Sequence, residues 1–124
     1  MEWRLFTITE IIDLHDAILN PGELSGQAKD ASLAGALSRV EFRVHYNMIN
    51  DVYDLAAMYA IAISQAHTFR DANKRTAHTT MKLSLKVHGV QVKLSAKEVG
   101  DIIIQVAQGH IDESDLADWL RKQK

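Results

Sequence analysis

The chain contains no cysteine, so it can build neither a disulfide frame nor a thiolate metal site, which fits a reducing compartment. It has one proline in 124 residues and few strand-like alternations, while alanine and leucine are frequent; together these favour an all-α fold. No apolar run is long enough for a membrane span, and the longest is rich in alanine. The opening "MEWRLFTITEIIDLHD" lacks the basic, apolar and small-residue zones of a signal peptide, so the expected location is the cytoplasm. An excess of charge of one sign is missing as well. With a net charge of −2 and a pI near 6.3, no whole-surface field would draw nucleic acid or a membrane, although a local basic site stays possible. Neither G-x-x-x-x-G-K-S/T nor G-x-G-x-x-G occurs, which excludes the standard phosphate-loop folds. Repeats, low-complexity segments and linkers are absent too.

What remains is ordinary globular composition, 47% hydrophobic and 24% charged, enough for one domain with one core over residues 1–124. Helix ends are marked along the chain. Thr7 and Glu10 are spaced as a capping box, and the helix they open is expected to close at Pro21-Gly22. "ELSGQAKDA", residues 23–31, reads as a loop. Leu33, Leu37, Val40 and Val44 then recur at helical spacing. Asn50 or Asp51 can cap a following helix that runs to about Ala66, and a further helix ends near His88 with Gly89 as its stop. "VQVKL" alternates and reads as a short extended piece. Ser95 and Glu98 suggest another capping box for a helix reaching Gly109, and Asp112 with Asp115 caps the last one.

Between two weakly charged stretches stands "HTFRDANKR", residues 67–75. If a helix starts near Asp71 or Ala72, then Asn73, Lys74 and Arg75 fill its first turn, where each cation opposes the helix dipole by about 0.3–1 kcal/mol. The conflict disappears when an anion binds there, because free N–H groups and basic side chains converge on it. Ala72 is small enough for close backbone approach. Arg75 can grip phosphate in a fork, Lys74 adds a point charge, and Asn73 offers a hydrogen bond without charge. His67 is the side chain suited to moving a proton near neutral pH, and Asp71 suits Mg2+ bound jointly with phosphate oxygens. Phe69 alternates with these polar residues and is expected to point inward as the anchor of the loop. Taken singly, His67 could be a capping or packing residue, Asp71 an N-cap, and the basic turn a solvated surface. Taken together they suit phosphoryl or nucleotidyl transfer.

The same nine residues resemble the signature of the Fic/Doc family, H-x-F-x-D/E-A/G-N-G/K-R, at every defined position. The likeness extends over nearly the whole chain, through "LAGALSRVEFRV" and "VAQGHIDESDLADWLR". It implies a compact all-α bundle with the active loop at the N-terminus of a central helix. The adenylylating branch has Gly after the Asn and a second Arg three residues past the first; here those positions hold Lys74 and His78. This is instead the pattern of the family's Doc (death-on-curing) toxins, which transfer the γ-phosphate of ATP to a Thr of elongation factor Tu and arrest translation. The resemblance makes His67 the base, Asp71 the Mg2+ ligand, and Ala72, Asn73, Lys74 and Arg75 the phosphate-binding turn. The 23–31 loop falls where the family's target-docking flap lies. Self-inhibited relatives carry S/T-x-x-x-E-G/N, and no Glu here has Ser or Thr four residues before it. The resemblance therefore implies a brake in trans, a Phd-like antitoxin whose disordered C-terminal tail folds on binding. An adenylyltransferase and a catalytically silent antitoxin-binding module are the alternatives. His78, on the face of Arg75, either lines the site or sits at its rim.

Overall fold

A computed structural model describes residues 3–26 and 32–123, and part of the 23–31 loop therefore lies outside the described residues. Six helices follow in order: α1 (Ile8–Ala17), α2 (Leu33–His45), α3 (Val52–Ala66), α4 (Asn73–Val87), α5 (Ala96–Ala107) and α6 (Glu113–Arg121). No strand ladder forms among the described residues, so the all-α expectation holds.

The bundle is organised around α3. Every residue from Leu55 to Ser64 is buried, so this helix is apolar all round rather than amphipathic. One side carries Leu55, Tyr59 and Ile63, which pack with Phe6, Ile11, Leu33, Leu37 and Val40 from the N-terminal half. The other side carries Ala56, Ala57 and Ala60. These small residues admit Met81 and Leu85 of α4, Val99 and Ile103 of α5, and Leu116 and Leu120 of α6. Tyr59 spans the first core and accepts a hydrogen bond from the Phe6 N–H at 2.8 Å on its hydroxyl oxygen. Burial pushes that phenol up to about 12, so it stays protonated.

Most ends fall where local chemistry directs. Asp51 caps α3, Ser95 Oγ accepts from the Glu98 N–H, and Asp112 with Asp115 forms a reciprocal box on α6. Thr7 and Glu10 do the same for α1. The exit of α1 differs from expectation, because the helix stops at Ala17 and not at Pro21-Gly22. Asn20 to Glu23 instead makes a turn of its own, with Pro21 second, Gly22 third at φ +87°, and Glu23 N–H on the Asn20 carbonyl at 3.0 Å. Proline then glycine at those places is the type II turn combination. "VQVKL" makes no ladder, yet its alternation is real: Val90, Val92 and Leu94 pack on the second core, while Gln91 and Lys93 are exposed.

Candidate active site

The loop between α3 and α4 is bracketed by two non-glycine residues in the left-handed region, His67 at φ 48° and Ala72 at φ 65°. Each such residue costs on the order of 1–3 kcal/mol, and strain of this kind persists where surrounding contacts over-determine it. Asn73 supplies much of that constraint. Its Oδ1 accepts from the Phe69 N–H and its Nδ2 donates to the Phe69 carbonyl, both at 2.8 Å. The side-chain amide expected to meet phosphate is therefore engaged in holding the loop, and Asn73 offers an anion its backbone N–H. Phe69 itself is buried as expected and stacks on the His15 ring, with centroids 3.8 Å apart and planes 7° from parallel. His15 Nε2 lies 2.8 Å from the Asp71 carbonyl, which can only accept, so this nitrogen is the donor.

α4 starts at Asn73, so Asn73, Lys74 and Arg75 do form its first turn, with no acidic residue and no side-chain cap. The Thr76 N–H is satisfied by the Ala72 carbonyl at 2.9 Å. A cavity of about 280 Å³ opens here, lined by His67, Asp71, Asn73, Lys74, Arg75 and Glu23 among others. The residues singled out in the motif thus converge on one space, with Phe69 beneath them. A helix N-terminus and two cations on one rim can hold an anion, and an imidazole and a carboxylate stand beside them.

Two residues of this site had no sequence signal. Glu23 places its carboxylate on Arg75, Oε1 to Nη1 at 2.7 Å and Oε2 to Nη2 at 3.3 Å. Hydrogen bonds from Arg75 and then from the Asn20 N–H hold the Glu23 carboxyl below its ordinary range. The loop it belongs to crosses the motif: the Leu24 N–H donates to Asp71 Oδ2 at 2.8 Å, and the Arg70 N–H donates to the Gly26 carbonyl at 3.2 Å. The second residue is His15, which pairs with neighbouring Asp16 at 3.0 Å but reaches the loop at Asp71 and Phe69, more than fifty positions away. His78 lines the next cavity along α4, and its Nε2 is buried without a hydrogen-bond partner among the described residues. Burial first, and Lys82 second, push its pKa down. Among the described residues no preformed group of three metal ligands exists. Asp71 fits Mg2+ only in the manner of nucleotide sites, where one or two carboxylates are completed by phosphate oxygens.

A helical core, a strained loop and a cation-rich helix start define a class. The chain belongs to the Fic/DOC family, whose model matches residues 5–85. It is 40% identical over 114 residues to the protein kinase doc of Escherichia phage P1, across 91% of this chain and 90% of that protein. No described helix is long and apolar enough to cross a membrane.

Proposed function

We propose that this protein is a toxin kinase that moves the γ-phosphate of ATP onto a threonine hydroxyl of a protein target, with elongation factor Tu as that target. The convergence of His67, Asp71, Lys74 and Arg75 on one cavity at the N-terminus of α4 carries the reading. Its likeness to a protein kinase over nine-tenths of its length supports the same choice.

Each residue has a distinct task. The first-turn N–H groups of α4, Lys74 and Arg75 bind the transferred phosphate and its neighbour, and Ala72 keeps the backbone close to them. His67 accepts the proton of the attacking hydroxyl as its oxygen bonds to the γ-phosphorus and ADP leaves. Asp71 is the Mg2+ ligand. Mg2+ held there would supply positive charge against the phosphates. Phe69, His15 and the amide of Asn73 hold the loop so that these groups are aligned before substrate arrives. Loop 23–31 receives the target.

Control falls to a Phd-like antitoxin in trans, acting in the cytoplasm. The direct test is calorimetric titration of antitoxin-free protein with ATP and Mg2+. Saturable binding that Arg75→Ala weakens at least tenfold supports the reading; absence of saturable binding to the parent overturns it.

A further inference from the structure

Two consecutive residues close the candidate site from outside the motif. Glu23 holds Arg75 through both carboxylate oxygens, and Leu24 donates its N–H to Asp71 Oδ2 at 2.8 Å. The cation that would bind phosphate and an oxygen that would bind Mg2+ are therefore engaged by one short strap. Smaller ties flank it. Arg75 Nη1 also donates to the Ile18 carbonyl at 3.2 Å, the Asn20 N–H donates to Glu23 Oε1 at 2.6 Å, and the Arg70 N–H donates to the Gly26 carbonyl at 3.2 Å.

The strap is lightly held and free to swing. Gly22 and Gly26 bracket it, both in the left-handed region at φ +87° and +88°. A Cβ on either would meet nothing within 4 Å, so these glycines serve the path of the backbone and not close packing. Glu23, Leu24 and Ser25 belong to neither apolar core of the described residues. One partly exposed ion pair and a few hydrogen bonds are all that hold them down, so a modest binding free energy is enough to lift them. Leu24 meanwhile leaves its apolar side chain 46% exposed while its N–H is turned to Asp71. A partner that covers this side chain acts on the residue whose backbone closes the site.

We propose that Glu23 and Leu24 form an internal lock which the protein target releases. A target segment that takes up Leu24 lifts Glu23 from Arg75 and the Leu24 N–H from Asp71 in one movement. Target and nucleotide then favour each other's binding, by the same factor in both directions. The coupling rests on the phosphate site and the target-receiving loop of the proposed function. In the free chain the closed strap lowers apparent nucleotide affinity by the fraction of time that it is shut. Nucleotide is thereby committed chiefly when the target is in place.

The test titrates a non-hydrolysable ATP analogue with Mg2+, in the absence and presence of excess elongation factor Tu, into the parent, Glu23→Gln and Leu24→Ser. The factor should tighten the analogue on the parent by about fivefold, the upper worth of an ordinary surface ion pair. Glu23→Gln should bind the analogue more tightly from the start and gain less from the factor. Leu24→Ser keeps the backbone N–H and the Glu23 pair, so it should bind the analogue as the parent does and gain nothing from the factor. Because the chain has no cysteine, Ser25→Cys can carry a single spin label on the strap, and its mobility should rise when analogue or factor binds. Analogue affinity that a bound factor leaves unchanged overturns the coupling, as does a label that stays immobile through both titrations. A factor that does not bind the parent also overturns it and leaves the phosphate site standing. If the analogue itself does not bind the parent, the phosphate site falls and the lock with it.

Discussion

Glu23 grips Arg75 through two nearly parallel hydrogen bonds, the fork geometry with which an arginine would hold a phosphate. The pair is partly exposed, the side chains at 24% and 40%, so it is worth no more than an ordinary surface ion pair. The carboxylate thus occupies the guanidinium that the proposed nucleotide would need. Glu23→Gln should therefore tighten ATP binding, by up to about fivefold. Titration of both proteins checks it, and weaker binding by the variant would assign Glu23 a supporting role instead.

The same pair sets a pH dependence. The Glu23 carboxyl is lowered in the folded chain from its ordinary 4.5, so its contribution is full above 4.5 and is lost as pH falls through the folded value. Thermal midpoints of the parent and Glu23→Gln, followed from neutral pH into the acid range, should differ at neutrality and converge below that folded value. A gap that stays constant with pH would contradict the pairing.

His67→Asn separates chemistry from folding. Asparagine tolerates the left-handed backbone of this position but cannot serve as the base. Transfer should fall by about 10²–10⁴-fold with helical content and nucleotide affinity retained. Asp71→Asn should instead lower transfer in a way that raised Mg2+ partly restores. Full activity of the first variant would remove His67 from the base role.

His15→Phe keeps a ring on Phe69 but leaves the part-buried Asp71 carbonyl without its donor. The expected cost is about 1–3 kcal/mol in urea unfolding, with slower transfer because the loop loses a brace. Tyr59→Phe should cost a similar amount, since the Phe6 N–H is left unpaired in the core, yet its transfer rate should match the parent's. The two variants thus distinguish a brace of the site from a brace of the fold. Equal transfer rates would place His15 with Tyr59.

How much of this was legible depends on how local the deciding contact is. The start of α3 and the start of α4 were readable because the Asp51 cap and the basic turn each act on backbone within a few residues. The loop of the candidate site was readable for the same reason, its motif being contiguous. The end of α1 was misplaced because Pro-Gly serves equally as a helix stop and as the middle of a type II turn, and here it is the turn. Asn73 was legible as a member of the site, but its side chain turned out to be engaged with Phe69 four residues back. Glu23 and His15 were hidden because they reach Arg75 and Asp71 across 52 and 56 positions, and a lone Glu or His carries no periodicity.

Transfer of label is the most direct test of the central claim. Antitoxin-free protein is incubated with elongation factor Tu, Mg2+ and ATP labelled at either the γ- or the α-position, and the factor's intact mass is followed. The γ-label should move to the factor with a mass gain of one phosphate, the α-label should stay behind, and His67→Asn should abolish the transfer. Labelling from the α-position with the mass of a nucleotidyl group, or a factor unlabelled from both, would contradict it.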